Sequence, residues 1–345
     1  MSYRFRVLCF AFIVVLFVGG NYAIWKLRTE VLLTDTRYKG GDLARMGYLF
    51  GSKYLRENVD DLPRRHIEFK EYDGRPVDMI TIGDSFSNGG GMGKNRFYQD
   101  YIATRLHLEV LNIPRHKDIY PLTTASLLNN SGFFDRTKPK YLMIEITETS
   151  CFDLAEPVNF DQRLSNEQLN RLKVINYNSP FPKVAFINDG NVKYLLYNAL
   201  YKISDHAFWG EVYTGKLSSE MFSVPSNNLL LFLRHKRLPT ADVVRKMNDN
   251  LNTLAERLAL KGIKLVFMPC VEKYNLYSKY LIKQPYPSST LFEELRKLPR
   301  RYIWVDTKAI LQEELRSGEK DIFYADDTHW SWKASERIVS EMKLD

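Results

Sequence analysis

The stretch Val77-Asp-Met-Ile-Thr-Ile82, followed at once by Gly83-Asp84-Ser85-Phe86-Ser87, decides the fold. Its first part is short, apolar and partly β-branched, which is typical of a buried strand. Ser85 follows on the turn that leaves this strand, where a side-chain hydroxyl is exposed close to backbone N–H groups. A serine placed in this way can act as a nucleophile, although a turn with a capping serine has the same sequence.

Segments with strand character alternate with segments of helical periodicity in the rest of the chain. Strands are predicted at residues 108–113, 141–146, 263–268 and 302–305, and helices at 97–106, 121–134, 241–260, 291–298, 307–315 and 331–342. This alternation predicts a parallel five-stranded sheet with helices on both faces, a three-layer α/β sandwich. Ligands of such sheets bind at the carboxyl ends of the strands, and Ser85 directly follows one of them.

Residues 156–240 break this rhythm and are predicted to form a mostly helical insertion in a single domain that spans residues 77–345. Within the insertion, residues 191–203 have the pattern of an amphipathic helix, and residues 229–233 are a compact apolar run. Residues 26–76 are predicted to be a juxtamembrane segment that leads into the domain.

The N-terminal segment indicates a membrane anchor. Residues 7–25 form an apolar run whose length is near the minimum for a transmembrane helix, and no clear cleavage site follows. Basic residues flank both ends, and Arg4 and Arg6 favour a cytoplasmic location for residues 1–6. The sequence therefore predicts a single-pass inner-membrane protein with a periplasmic domain; a cleaved signal peptide is the alternative.

Composition narrows the range of partners. The net charge of +8 favours an anionic partner or a membrane surface, but the basic residues are scattered and no nucleic-acid-binding motif is present. Cys9 lies in the apolar segment, whereas Cys151 and Cys270 either form a disulfide or remain two buried thiols. No Cys/His spacing of a metal site occurs, so we expect neither a metal nor a cofactor.

A second motif, Asp326-Asp327-Thr328-His329-Trp330, lies in a loop before the last predicted helix. An acid two or three residues before a histidine can hold one ring nitrogen, so that the other can take a proton from a serine. Ser85, His329 and one of the two aspartates therefore form a candidate catalytic triad.

Together with the segment Phe267-Met-Pro-Cys-Val-Glu-Lys-Tyr-Asn-Leu-Tyr277, these motifs resemble the SGNH (GDSL-like) hydrolase superfamily, in its alginate O-acetyltransferase-like, polysaccharide-acetylating branch. The resemblance covers residues 77–345 apart from the insertion, and it implies an SGNH/flavodoxin-like sheet. It also implies Ser85 as nucleophile, His329 as general base and Asp327 as the orienting acid. The Asp-x-x-His spacing of other SGNH hydrolases would select Asp326 instead.

The chain departs from the family pattern in two respects. In that branch the Asp/His motif often precedes the serine, whereas here it follows. The glycine and asparagine that supply oxyanion donors in the superfamily are replaced, which leaves Asn112 and Thr147 as candidate donors. Trp330 is a candidate for stacking on a sugar ring, although packing in the core is the more common role of such a residue.

The resemblance implies an extracytoplasmic O-acetyltransferase that acts on polysaccharide hydroxyls. It further implies a partner, a multispanning membrane-bound O-acyltransferase that supplies the acetyl group. An esterase or deacetylase with the same triad, and a non-catalytic polysaccharide-binding subunit, are the alternatives.

Overall fold

The computed structural model describes residues 2–34, 41–49, 61–91, 93–114, 120–163, 184–224 and 228–344. Parts of the predicted lead-in segment (35–40 and 50–60) and of the predicted insertion (164–183 and 225–227) lie outside the described residues.

A parallel sheet is the centre of the molecule. The strands of the described chain are β1 (Ile67–Glu68), β2 (Met79–Gly83), β3 (Val110–Pro114), β4 (Tyr141–Thr147), β5 (Val212–Lys216), β6 (Leu229–Leu233), β7 (Lys264–Cys270) and β8 (Ile303–Trp304). Six of them form one parallel sheet in the order β1-β3-β2-β4-β7-β8. The parallel α/β fold is thus confirmed, with one strand more than predicted, because the two residues of β1 are too few to show a periodicity.

The helices of the described chain lie on both faces of the sheet and, in the N-terminal segment and the insertion, outside it. They are α1 (Tyr3–Ile24), α2 (Glu30–Thr34), α3 (Asp42–Met46), α4 (Tyr98–Arg105), α5 (Pro121–Asn130), α6 (Phe133–Thr137), α7 (Cys151–Ala155), α8 (Asp189–Leu200), α9 (Ala241–Ala259), α10 (Lys273–Tyr277), α11 (Leu291–Arg296), α12 (Thr307–Arg316) and α13 (Trp332–Ser340). Helix α4 packs with α13, and α9 packs with α5, α7 and α11. The chain passes from β2 to β3 through α4 and then back from β3 to β4 through α5, in the opposite direction across the sheet. Because parallel crossovers are right-handed, α4 with α13 lies on one face of the sheet, and α5 with α7, α9 and α11 lies on the other.

Helix α9 illustrates how the sequence sets these elements. The hydroxyl of Thr240 accepts a hydrogen bond from the N–H of Val243 (3.4 Å) and caps the start of the helix. Gly262, at φ +73°, lies in the turn after its end, where glycine adopts this backbone conformation without strain. Between these signals, the apolar residues recur at helical spacing and are buried against the sheet: Val244, Met247, Leu251, Leu254 and Leu258.

The described part of the insertion is less helical than predicted. It contains α8 and an antiparallel pair formed by β5 and β6, in which Val212 faces Leu233. A five-residue apolar run such as β6 is compatible with either a strand or a buried helical turn. The pairing with β5, which decides between them, cannot be predicted from local sequence.

The N-terminal segment forms a helix over Tyr3–Leu33, of 31 residues, with an 18-residue window of mean hydropathy 2.3, and it is long and apolar enough to cross a membrane. A signal sequence has the same properties. The side chains of its first part are mostly exposed, whereas Trp25, Thr29 and Leu32 near its end are buried against the folded domain.

Candidate active site

Ser85, His329 and Asp327 are joined by hydrogen bonds at the carboxyl edge of the sheet. The hydroxyl oxygen of Ser85 lies 2.8 Å from Nε2 of His329, and Nδ1 of the same ring lies 2.7 Å from a carboxylate oxygen of Asp327. The same Asp327 oxygen accepts the backbone N–H of His329 at 3.0 Å. Ser85 is exposed, while both partners are buried. This is the geometry in which an imidazole can withdraw a proton from a serine.

The turn that carries Ser85 is hydrogen-bonded to Glu145, a residue of β4 whose carboxylate is buried. One carboxylate oxygen of Glu145 lies 3.1 Å from the N–H of Asp84, 3.0 Å from the N–H of Ser87 and 2.7 Å from the hydroxyl of Ser87. Burial, together with the nearby charge of Asp84, raises the pKa of Glu145 well above its usual value. At Gly83 a Cβ would come within 2.0 Å of the Ser87 hydroxyl, so only glycine fits at the end of the strand.

Asp84 stabilises the turn from the other side. One of its carboxylate oxygens accepts the N–H of Phe86 at 3.1 Å, and the other accepts the N–H of Thr147 at 2.8 Å. These bonds connect the turn after β2 to the end of the neighbouring strand β4. Asp84 therefore has a positioning role rather than a place in the hydrogen-bonded line of the triad.

The two consecutive aspartates of the second motif point to different places. Asp327 faces the imidazole ring, whereas a carboxylate oxygen of Asp326 accepts the N–H of Gly41 at 2.8 Å. The backbone carbonyl of Asp326 also accepts the N–H of Ala44 at 3.1 Å. Asp326 thus attaches residues 41–49 to the site loop, and Asp327 occupies the position of the orienting acid.

Lys273 holds the loop of the second motif and was not singled out by sequence reasoning. Its buried ammonium group donates to the backbone carbonyls of Tyr324 (2.7 Å), Ala325 (2.8 Å) and Asp327 (3.0 Å). It begins α10, inside the segment on which the family resemblance rests. A charged donor satisfying three carbonyls fixes the backbone that presents Asp327 and His329.

A second carboxylate, Asp42 of α3, also approaches the histidine. One of its oxygens accepts the N–H of Thr328 at 2.7 Å, and the other accepts the Thr328 hydroxyl and lies 3.7 Å from Nδ1 of His329. Burial and the negative charge of Asp327 raise the pKa of Asp42 to about 6. No motif marks Asp42, because its contacts join residues 286 positions apart.

The environment of His329 favours its charged form. Burial lowers its pKa, but the hydrogen bond and charge of Asp327, with the charges of Asp42 and Asp84, outweigh that effect and raise the pKa above its usual value. At Gly90 a Cβ would lie 2.2 Å from Nε2 of the ring. The backbone at Gly90 therefore lies directly against the imidazole ring, and any residue larger than glycine would collide with it.

The three remaining candidate residues occupy different environments. Thr147 lines a pocket of about 230 Å³ together with Ser85, and its hydroxyl lies 3.0 Å from the hydroxyl of Ser150. Asn112 is buried beneath the turn, where its amide nitrogen donates to the carbonyl of Ser87 at 3.2 Å. Trp330 is buried too, and its ring packs 4.6 Å from that of Phe86. Asn112 therefore supports the turn and Trp330 packs in the interior, and neither side chain lines the pocket.

A wide groove of about 900 Å³ adjoins this pocket and shares Thr149, Leu233 and His235 with it. The groove is lined by exposed aromatic and basic side chains from the insertion and the following loop: Phe208, Trp209, Arg234, Lys236 and Arg237. Aromatic rings can stack on sugars, and the cations favour anionic groups.

Asp42, Asp327 and His329 are also the one group among the described residues whose carboxylate and imidazole atoms lie close enough together to hold a metal ion. Both ring nitrogens of His329 are already engaged, one by Ser85 and the other by Asp327. This arrangement fits proton transfer better than metal binding. Cys151 and Cys270 are two buried free thiols, and Cys270 donates to Glu145 at 3.1 Å.

An all-parallel sheet with a serine directly after an early strand, and an Asp/His pair directly before the last helix, is the arrangement of an SGNH-hydrolase-like domain. The family model described as the SGNH hydrolase-like domain of the acetyltransferase AlgX matches residues 229–340, about a third of the chain. The matched segment runs from β6 to the end of α13 and includes Lys273, Asp327 and His329, and it confirms the resemblance seen in the motifs. No curated protein matches the chain.

Proposed function

We propose that this protein is an extracytoplasmic O-acetyltransferase, anchored in the inner membrane by its N-terminal helix, that acetylates polysaccharide hydroxyls through an acyl-enzyme on Ser85. The observation that carries the proposal is the continuous line of hydrogen bonds from the exposed Ser85 hydroxyl through His329 to Asp327. The match of residues 229–340 to an acetyltransferase domain favours acetyl transfer over other acyl chemistry.

In the first half-reaction, the hydroxyl oxygen of Ser85 attacks the carbonyl carbon of an acetyl donor while Nε2 of His329 takes the hydroxyl proton. The imidazolium then gives this proton to the leaving group, and the acetyl ester of Ser85 remains. Asp327 holds Nδ1–H and stabilises the transient positive charge on the ring. We expect the oxyanion to be stabilised by the backbone N–H of Ser85 and the hydroxyl of Thr147, which lines the same pocket.

In the second half-reaction, Nε2 of His329 takes a proton from a sugar hydroxyl, whose oxygen attacks the acetyl carbonyl. The Ser85 oxygen leaves and recovers its proton from the imidazolium, so the enzyme is restored, the acetyl group has passed from the donor to the sugar, and one proton has passed from the sugar hydroxyl to the donor's leaving group. The wide groove beside the pocket supports a polymeric acceptor, because its aromatic and basic lining extends away from Ser85. The acetyl supplier in this proposal is a multispanning membrane-bound O-acyltransferase.

Hydrolysis is the second candidate function. Ser85 is exposed, so water can reach an acetyl group attached to it, and an esterase would use the same three residues. The two functions differ only in which hydroxyl attacks the acyl-enzyme.

The test uses the full chain in detergent with an activated acetyl ester, with and without an unacetylated polysaccharide. We expect mass spectrometry to find acetyl on Ser85 and then on the sugar. Ser85→Ala should abolish both products, whereas Ser340→Ala, which removes an exposed hydroxyl on α13, should change neither. Free acetate with no acetylated sugar, for every acceptor tried, would favour the esterase; absence of acetyl on Ser85 would contradict both.

A further inference from the structure

Helix α8 of the insertion exposes an apolar face that the folded domain does not cover. The face consists of positions spaced at i, i+3, i+4, i+7 and i+11: Val192, Leu195, Leu196, Ala199 and Ile203, the last just beyond the helix. Leu195 is 54% exposed and Ile203 is 83% exposed. In a surface helix of a globular protein such a stripe normally faces the core. Here the opposite face, with Asn191, Tyr197 and Leu200, is the buried one.

Charged residues border this face without interrupting it. Lys193 lies on one side of the stripe and Lys202 on the other, by helical spacing. Lys193 is paired with Asp189 at 2.6 Å, at the start of the helix. An apolar stripe flanked by lysines is the pattern of a helix that lies in the plane of a lipid surface, because the lysine stems extend along the acyl region and their ammonium groups reach the headgroups.

The start of α8 is fixed to the end of the apolar N-terminal helix by buried polar contacts. The side-chain amide of Asn191 donates to the side-chain oxygen of Asn21 at 2.9 Å and accepts the hydroxyl of Thr29 at 2.5 Å. The ring of Phe186, just before α8, packs edge-on against Tyr22 at 5.9 Å. Asn21 directly follows the stretch whose apolar side chains are exposed, so these contacts hold α8 at the level where a membrane span would end.

We infer that α8 lies in the headgroup region of the lipid bilayer, with its apolar face towards the acyl chains. The occupant of this face is lipid because the face continues the exposed apolar surface of the N-terminal helix, to which α8 is hydrogen-bonded. The inference rests on the membrane-anchor part of the proposed function and is independent of the acetyl-transfer chemistry. It assigns to the insertion a second attachment of the catalytic domain to the membrane.

This attachment would also set the height of the pocket above the bilayer. The side-chain amide of Asn198 in α8 donates to the carbonyl of Tyr48 at 2.9 Å, and the ring of Tyr48 packs against Tyr197 at 5.4 Å. Tyr48 closely follows α3, whose Asp42 contacts the site loop. A continuous set of contacts thus joins the proposed lipid-facing helix to the residues around His329.

The test places a fluorescent label at one introduced cysteine of the full chain, reconstituted into phosphatidylcholine–phosphatidylglycerol nanodiscs. The background is Cys9→Ser, in which the two remaining thiols, Cys151 and Cys270, are buried, and the labelled background protein without an introduced cysteine is subtracted. The quencher is a nitroxide carried on the lipid acyl chains. Leu195→Cys reports on α8, and Val14→Cys in α1 reports on insertion of the anchor. The matched control is Leu260→Cys, a leucine that is 88% exposed at the end of α9, at the opposite edge of the sheet from Ser85.

We expect the labels at positions 195 and 14 to be quenched several-fold more than the label at 260. Quenching at 14 without quenching at 195 would overturn the inference while leaving the anchor intact, and would point to a protein partner on this face. Equal quenching at 195 and 260 would overturn it as well. An unquenched label at 14 would refute the anchor itself, and the inference with it, without bearing on the acyl-enzyme at Ser85.

Discussion

The carboxylate of Asp42 lies 3.7 Å from Nδ1 of His329, on the same side of the ring as Asp327. It belongs to the segment between the apolar N-terminal helix and the domain, so the lead-in contributes directly to the site. Two carboxylates beside one imidazole nitrogen increase the stability of the imidazolium. A general base with a raised pKa is protonated over a larger part of the pH range, which gives a first prediction about pH dependence.

We expect Asp42→Asn to shift the acidic limb of the rate profile to lower pH. His329 acts as a base only when neutral, so activity rises as pH increases through its pKa, and loss of the Asp42 charge lowers that pKa. Asparagine keeps an oxygen for Thr328, so the variant removes the charge beside the ring and retains a hydrogen bond to the loop. The measurement is the pH profile of Ser85 acetylation under single-turnover conditions. A profile with an unchanged midpoint and a lower plateau would mean that Asp42 only supports the loop.

The two aspartates of the second motif allow a paired test. We expect Asp327→Asn to reduce kcat/KM by about 10⁴, the effect seen when the orienting acid of a serine triad loses its charge. Asp326→Asn keeps an oxygen for the N–H of Gly41 and should change kcat/KM by less than about tenfold. Equal losses in the two variants, with the thermal unfolding of both unchanged, would contradict the assignment of Asp327.

Much of this arrangement was predictable from the sequence because it is local. Ser85 directly follows an apolar strand, and Asp327 is two residues from His329, so each half of the site is a short motif. The contacts of Asp42 and Lys273 join distant parts of the chain to the same loop, and no local pattern reports such contacts. The sequence places Asn112 at the end of a strand, where a side-chain amide could donate to an oxyanion. Its burial beneath the serine turn, where it donates to the carbonyl of Ser87, depends on the tertiary fold and cannot be predicted from local sequence.

Gly90 offers a test of the space around the histidine. We expect Gly90→Ala to lower kcat by about 10² or more with little change in stability, because its Cβ would come 2.2 Å from Nε2 and displace the ring from Ser85. Gly210→Ala is the control, since a Cβ there meets its nearest neighbour at 3.4 Å, an ordinary contact. The measurements are kcat with an activated ester and the thermal unfolding midpoint. A variant at position 90 with wild-type kcat would show that the histidine tolerates a different position.

The last prediction concerns stability, through an ion pair that joins His66, just before β1, to Asp100 in α4. Nδ1 of His66 lies 2.7 Å from a carboxylate oxygen of Asp100, and Nε2 lies 3.2 Å from Glu68. Burial lowers the pKa of His66, but these two hydrogen bonds and the two charges outweigh that effect and raise it to about 9. Since the folded-state pKa exceeds the unfolded one, the stabilisation is complete below about pH 6.5 and is lost as pH rises through about 9.

We therefore expect the free energy of unfolding to fall by roughly 2–3 kcal/mol between about pH 6.5 and 9.5, in addition to contributions from other groups. His66→Gln should remove this part of the pH dependence, because glutamine does not titrate. Urea titrations across this pH range provide the measurement. If the wild type and His66→Gln differ by a constant amount at every pH, His66 is not charged in the folded protein.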